Sequence, residues 1–440
     1  MQHAIELSNP LTPVTEHLRI GVIAIAVLFA LSPLPAQPAQ AQTYTILHTF
    51  TGGGDGGAPY AGLTQDRAGN FYGTTTYGGR VTSTCPIGCG VVFKLSHVGE
   101  GWILNPIYTF QGGDDSANPL AAVVIASDGS LYGTAGAGGG SACNGYFLYG
   151  VGCGTMFRLQ PQPRACASVQ CPWTETVLYR FSGGSDGATP GFGNLLFDSA
   201  GNLYGAATYG GLNSRDCTTG GCGVVYQLTH SSQGWTENVL YSFIGGNDGQ
   251  APFSALIFDR AGNLYGTNYA GVLYELTPSQ SGWSEQTVCR CLIEPYGGAV
   301  FDSAGNLYGG DQFGGDNGTG SVYELTPGNS GWSYNLLFSF NYGQGPEDSL
   351  ILDSSGNIYG TSYSNAPPSF YGEVFELSPG NGTWNINYLH AFDYDDGAIP
   401  IGSVVRDSNG TLFGTASGGG NNNGICAGYY GCGVVWEITP

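Results

Sequence analysis

Positive charge is nearly missing from this chain. It carries 11 Lys and Arg residues against 32 Asp and Glu, and Lys94 is the only lysine. A formal net charge of −21 repels phosphates, which excludes nucleic acid and anionic membranes as partners. Cations and neutral ligands remain. Long apolar runs are also scarce. The one run, Ile20 to Leu31, is too short to span a bilayer comfortably. Arg19 precedes it and Ala39-Gln40-Ala41 follows, so residues 1–41 read as a secretory signal peptide, with a retained anchor as the rival reading. No second run follows, and the expected address is secreted, periplasmic or cell-surface.

Catalytic motifs are sparse too. HExxH and GxxxxGK[ST] are absent, and the glycine runs lack the lysine and strand-to-helix setting of a phosphate loop. Of the histidines beyond the leader, His48 and His390 replace the tyrosine of an LYSF-type strand, while His97 and His230 follow strands. Both pairs are expected away from the loop-rich face, leaving no histidine as a base there. The NGT triplets at Asn317, Asn381 and Asn409 read as turns.

What is abundant is glycine, at 76 residues, with 28 Tyr and 21 Phe. That composition suits short strands, tight turns and an aromatic interior. A repeat organises it. DxxGN[LIF]YG-like segments begin at Asp66, Asp198, Asp259, Asp302, Asp353 and Asp407, with a degenerate copy at Ala126, spaced 43 to 72 residues apart. Such a period marks a propeller or an array.

The fourth copy shows the unit: Ser254 to Phe258, a turn at 259–263, Leu264 to Thr267, Gly271 to Leu276 ended by Thr277-Pro278, and a fourth run opened by Trp283. Four strands per repeat make a propeller blade; a β-solenoid has shorter, less hairpin-like coils. Trp102, Trp173, Trp235, Trp283, Trp332 and Trp384 open the internal fourth strands. The last copy stops after its third strand, at 434–438, and residues 43–50 match a fourth strand. The expectation is an all-β, seven-bladed β-propeller over residues 42–440, closed by the N-terminal strand.

The DxxGNLYGTTxYGG-type segment at Asp66 to Gly79 and the GVVYEL-type strand at Gly223 to Leu228 resemble the GloVer tandem repeats of secreted bacterial proteins, over essentially all of residues 42–440. The resemblance implies repeat architecture and no particular activity. Its members often carry a C-terminal cell-surface anchor, and no such segment follows the last strand here. A weaker similarity, to NHL-type, virginiamycin B lyase-like and lactonase-like propellers, rests on the shared turn.

Twelve cysteines fall mostly in local pairs: Cys85/Cys89, Cys143/Cys153, Cys166/Cys171, Cys217/Cys222 and Cys426/Cys432. Behind a signal peptide these read as disulfides; zinc would need further ligands that are not near in sequence. Cys289 and Cys291 take the Tyr and Phe positions of an LYSF strand, and a mutual bridge would be strained, so they are free or paired elsewhere.

Two groups could carry function. A second repeated segment, FxGGxDGxxP, holds Asp55, Asp115, Asp186, Asp248 and Asp396. On one face these carboxylates could ring the channel mouth and hold Ca²⁺, or each could cap its own turn. The loop after the second strand holds Tyr77, Tyr209, Tyr269, Phe313 and Tyr363, which could stack on sugar rings or pack between blades. Variable loops on a rigid scaffold favour that face as the site. The expected function is a monomeric, non-catalytic binding or scaffold propeller whose ligand is a glycan or small neutral molecule. The alternatives are a polysaccharide lyase or glycosidase on that face, or a purely structural, protein-interaction module.

Overall fold

Each repeat aspartate closes the turn that follows it. In the first copy, Asp66 Oδ1 accepts the N–H groups of Ala68 and Asn70, both at 2.9 Å, and Oδ2 accepts the Asn70 side-chain amide at 2.8 Å. Gly69 sits at φ 82°, a left-handed conformation that favours glycine. Asp198, Asp259, Asp302 and Asp353 repeat all three bonds. The most conspicuous sequence feature is therefore turn chemistry. The glycine two residues into each second strand is set by packing instead. A Cβ on Gly73, Gly133, Gly205 or Gly414 would run into Phe93, Phe157, Tyr226 or Trp436 of the third strand.

The computed structural model describes residues 42–140, 143, 151–161, 173–214, 216–217, 220–343, 345–363, 369–428 and 430–440. The expected signal peptide, residues 1–41, lies outside them. Thr43–Thr439 folds as one unit of seven four-stranded antiparallel sheets. Among the described residues the only helical turn is a five-residue 3₁₀ segment, Gly424–Gly428.

The first blade runs from its inner strand Thr64–Gln65 through Phe71–Thr75 and Val91–Val98 to its outer strand Gly101–Thr109. The seventh takes Val405–Arg406, Leu412–Ala416 and Val434–Thr439 from the C-terminal end and Thr43–Thr49 from the N-terminal end. Thr43 pairs with Thr439, Ile46 with Trp436 and Thr49 with Val434. The chain is thus an all-β, seven-bladed propeller whose ring is closed by the N-terminal strand.

The fourth blade differs in detail from the sequence reading. Its inner strand shrinks to Ile257–Phe258, and its third strand, Leu273–Ser279, runs through Pro278, which pairs with Trp283 beside the outer hairpin. Proline is tolerated there because the strand is about to end.

The core lies between blades. Tyr72, Val92 and Phe110 of the first blade pack with Leu131 and Phe157 of the second. Repeat tyrosines reach the tryptophan opening the next blade's outer strand, as Tyr72 to Trp173 at 6.0 Å and Tyr265 to Trp332 at 6.1 Å between ring centroids.

Cys85–Cys89, Cys143–Cys153, Cys217–Cys222 and Cys426–Cys432 are bridged. Cys166 and Cys171 fall outside the described residues. Cys289 and Cys291 correct the sequence reading, since they are bridged to each other.

Candidate functional site at the channel mouth

The links between blades build the site. Each link leaves an outer strand and enters the next inner strand, and five of the seven pass an FxGGxDGxxP segment; those before the fifth and sixth blades read IEPYGG and YGQGPED. Links also pair with the loop after the next blade's second strand, through Gly57 with Tyr77, Ala188 with Tyr209 and Pro252 with Asn268. Both sets of loops therefore share one face.

A non-glycine residue in the left-handed region precedes the proline in six of the links. Ala58, Asn118, Thr189, Ala251, Glu294 and Ile399 have φ between 52° and 56°. That conformation is unfavourable without glycine, so something must hold it. The N–H groups of Ala58, Asn118, Thr189 and Ala251 donate to the carbonyls of Cys432, Cys89, Cys153 and Cys222, at 2.8 to 2.9 Å. Each of those cysteines belongs to a disulfide. The bridges thus pin the loops that hold the links.

The kink turns the residues after the proline inward. Tyr60, Leu120, Phe253, Tyr296, Glu347 and Ile401 each directly follow a link proline, and all line one cavity of about 440 Å³. In the third blade Gly191 follows the proline and Phe192 takes the wall position. All seven blades contribute. Phe192 and Phe253 lie edge to face at 4.6 Å, and Phe253 meets Tyr296 at 5.4 Å. Asn194 and Gln312 supply amides, and no lining residue is basic.

Two carboxyl groups sit in this wall. Glu347 Oε1 accepts the Gln312 side-chain amide. Burial, with the neighbouring Asp348 charge adding to it, pushes Glu347 up to about 7 despite that bond. Burial also raises Asp348, although its carboxylate accepts the N–H groups of Ser349 at 2.6 Å and Ser403 at 2.7 Å. Tyr60 is raised by burial and by Glu347. The cavity therefore combines aromatic walls, two amides and a carboxyl group poised between its neutral and charged forms near neutral pH.

The sequence-predicted aromatics reach this site unevenly. Tyr77 lines the cavity and meets Tyr60 edge to face at 6.4 Å. Tyr269 stands behind the wall, 6.0 Å from both Phe253 and Tyr296, and its hydroxyl donates to Glu294 at 3.3 Å. Tyr363 lies close enough to Glu347 for that charge to join burial in raising it. Tyr209 is half-buried, and Tyr269 joins burial in raising it. Phe313 is half-buried and does not line the cavity. Exposed Tyr342, Phe370 and Tyr430 stand on loops of the same face.

Of the two readings of the five link aspartates, the hydrogen bonds favour turn capping. They sit in the links that follow the outer strands of separate blades, and each is taken up by its own turn. Asp115 Oδ2 accepts the N–H of Gln111 at 2.8 Å and the Tyr108 hydroxyl at 3.2 Å. Asp186 does the same with Ser182 and Tyr179, and Asp248 with Ile244 and Tyr241. In two links histidine replaces the tyrosine: His48 meets Asp55 at 3.1 Å and His390 meets Asp396 at 2.8 Å. These two histidines therefore stand at the rim of the loop-rich face, contrary to the sequence reading, but committed to a carboxylate. Among the described residues no group of three or more His, Cys, Asp or Glu could hold a metal ion.

Gly183–Gly187 spells GxSxG, but Gly183 N–H donates to Gly187 O at 3.1 Å in a link turn, without the strand-to-helix elbow of a hydrolase nucleophile. On other surfaces an open groove of about 630 Å³ runs between the second and third blades. Its charges are spent: Arg158 pairs with Asp128 at 2.7 Å, and Asp198 caps its turn.

The family model described as Gloeobacter/Verrucomicrobia repeat matches residues 27–272 and 267–440. No curated protein sequence matches the chain. Among solved structures, a fungal alcohol oxidase of the AA5 family in complex with copper is similar at 15% identity and TM-score 0.56, over 91% of this chain and 77% of that one. A Thermus thermophilus protein assigned as an oxidoreductase (glucose dehydrogenase) is similar at 13% identity and TM-score 0.40, over 90% and 99%. A protein assigned as a gluconolactonase is similar at 12% identity and TM-score 0.40, over 91% and 93%. At these identities the first likeness shows the propeller fold alone, and the other two carry no argument.

Proposed function

The chain belongs to the Gloeobacter/Verrucomicrobia repeat family, and from that premise and the channel mouth we propose that it is a binding propeller for neutral glycans. The single observation that carries this reading is the aromatic wall of the 440 Å³ cavity, interrupted only by amide and carboxyl groups and free of basic side chains. Sugars present apolar CH faces to aromatic rings and hydroxyls to amides, and a pocket of this size fits a short saccharide. An anionic ligand would meet Glu347 and Asp348 with no cation to offset them.

The lyase or glycosidase reading draws on one observation, a carboxyl group balanced near neutrality at Glu347. Glycoside hydrolysis needs two carboxyl groups flanking the bond. Asp348 is the nearest partner in sequence, and its two oxygens are held by backbone N–H groups of Ser349 and Ser403. Binding is therefore favoured over catalysis.

Four described bridges fit an oxidising compartment. No helix among the described residues is long and apolar enough to cross a membrane. With the Ile20 to Leu31 run ahead of the propeller, these features support export of the protein.

Isothermal titration with a panel of neutral oligosaccharides tests the proposal. Saturable binding to the wild type is expected. Phe253→Ala and Tyr296→Ala should each weaken it at least about tenfold, near 1.4 kcal/mol. Tighter binding of acidic than of neutral saccharides, or no loss in either variant, would overturn it.

A further inference from the structure

We propose that the Cys289–Cys291 bridge is a thiol–disulfide exchange site, open to a dithiol reductant while the other described bridges stay closed. The contrast begins with burial. Cys89, Cys153, Cys222 and Cys432 are all fully buried, one in each of the other four described bridges. A link glycine also covers each of these. A Cβ on Gly112 would lie 2.9 Å from Cys85 Sγ and 3.1 Å from Cys89 Sγ; one on Gly52 would lie 2.6 Å from Cys426 Sγ. Gly183 covers Cys143 and Cys153 in the same way, and Gly245 covers Cys217. Sulfurs packed this closely against a link backbone give an incoming thiolate less access than an exposed sulfur does.

The fifth bridge has a different setting, and the register explains it. Cys289 pairs with Leu273, as Tyr241 pairs with Val225 in the preceding blade. In that blade Phe243 N–H donates to Gly223 O, and here it is Leu292 N–H that donates to Gly271 O. Leu292, 6% exposed, fills the buried place that phenylalanine fills elsewhere. The outer strand thus carries one extra residue at its exit. That residue is Cys291, which is exposed. The expectation that Cys291 replaces the buried phenylalanine is corrected accordingly.

The surroundings favour cleavage in one direction. The N–H of Cys291 donates to Cys289 Sγ at 2.9 Å, and Arg290 lies between the two cysteines. An N–H donor stabilises a thiolate, which makes Cys289 the better leaving group. The nearby Glu294 carboxylate is held elsewhere, by Tyr269 at 3.3 Å and Tyr296 at 3.5 Å. Arg290 is itself fixed, donating to Gly246 O at 2.6 Å and Asn247 O at 2.5 Å. The segment therefore stays anchored when the bridge opens. The bridge closes so short a loop that it removes little chain entropy, and its loss should leave the fold intact.

The exchange conserves atoms and electrons. One thiolate of the dithiol attacks Cys291 Sγ, a mixed disulfide forms, and the Cys289–Cys291 bond breaks with its electron pair on Cys289 Sγ. The second thiol of the reductant then attacks its own sulfur in the mixed disulfide and releases Cys291 Sγ. The reductant leaves as a disulfide, two electrons pass to the protein, and the two thiol protons end on Cys289 and Cys291.

The full-length oxidised protein is treated with reduced dithiothreitol under native conditions, quenched by alkylation at a series of times, and mapped by mass spectrometry. Cys289 and Cys291 should be labelled together, at least tenfold faster than any other described pair, with the circular dichroism unchanged. Labelling of all described pairs at one rate, or only on unfolding, would overturn the proposal. The order of attack has its own test. A monothiol such as glutathione, added to the oxidised protein and quenched early with acid, should be found by mass spectrometry as a mixed disulfide on Cys291 at least about fivefold more often than on Cys289. Equal amounts on the two, or an excess on Cys289, would refute Cys291 as the point of attack.

Discussion

The hydroxyl of Tyr241 donates to Asp248 Oδ2 at 2.9 Å, and the same oxygen accepts the N–H of Ile244 at 3.0 Å. The aspartate lies seven positions after the tyrosine, and the pair ties the end of the outer strand to the link that follows. Asp248 is buried, so removing its carboxylate strands two donors. Asp248→Ala should cost about 2–3 kcal/mol, and Asp248→Asn less, because the amide oxygen still accepts. Urea denaturation measures both. The loss should be the same with Ca²⁺ or EDTA. A cost that appears only when Ca²⁺ is present would restore the metal-site reading of these aspartates.

Ring closure makes a second expectation. Trp436 is fully buried between the sixth and seventh blades and pairs in register with Ile46 of the N-terminal strand. Trp436→Ala should destabilise by about 3–5 kcal/mol. Deleting Thr43–Thr49 should do more, because it exposes the edge of Val434–Thr439 to other chains. Light scattering would show aggregation. A monomeric deletion variant with an unchanged melting temperature would mean that the strand contributes nothing to closure.

Asp66, Gly69 and Asn70 made the blade legible in the sequence, because turn chemistry is local and each residue type has one reason to be there. Closure was legible for a related reason: a missing outer strand at one end and a spare one at the other are both visible as letters. The channel mouth was not. Its wall positions read Tyr60, Leu120, Phe253, Tyr296, Glu347 and Ile401, so no single residue type marks them from blade to blade. What repeats is the proline before them and, except ahead of Glu347, the left-handed residue before that, and only the first of these can be seen in a sequence. The aspartates left two readings open for the opposite reason. Their regular recurrence drew attention, yet regular residues serve the scaffold that every blade shares. Cys291 was misassigned because a one-residue insertion shifts register without altering the local pattern, and only the Leu292 to Gly271 bond reveals it.

Stability should fall as pH rises through neutrality. Between the first and second blades, the Tyr108 hydroxyl donates to Glu175 and Asp115 alike, both at 3.2 Å, and Ser116 Oγ donates to Glu175 at 2.7 Å. Burial, then the bond to and charge of Asp115, push Glu175 up to about 8; burial and Asp186 push Glu237 to about 7 at the next junction. Groups raised in the folded state hold protons that the unfolded chain has released. The folded form therefore loses relative stability between the ordinary glutamate range, near 4.5, and about pH 8. Thermal melts across that window should decline. Glu175→Gln, which keeps a neutral side chain there at all pH values, should raise the melting temperature at pH 8.5 and leave it nearly unchanged at pH 5. Parallel pH profiles for the two proteins would remove Glu175 as a cause.

Glu347 should give ligand binding its own pH dependence. Below about pH 7 its carboxyl group is largely neutral, because burial and then Asp348 favour the protonated form. A neutral carboxyl group both donates and accepts hydrogen bonds, as a sugar hydroxyl does; a carboxylate only accepts, and its charge must keep its hydration. Binding of a neutral oligosaccharide at the mouth should therefore weaken between pH 6 and pH 8.5, with a midpoint near the Glu347 value. Glu347→Gln keeps the Gln312 contact within reach and carries no charge at any pH, so its affinity should be flat across the same window and match the wild type at pH 6. Glu175→Gln serves as the control, since it changes the stability profile at the blade junction without touching the mouth. If it flattens the binding profile as well, the pH effect arises from the fold and not from the site. If Glu347→Gln keeps the wild-type slope while Glu175→Gln also leaves it unchanged, a group other than Glu347 titrates in the complex, and Asp348, raised by its own burial, becomes the residue to replace next.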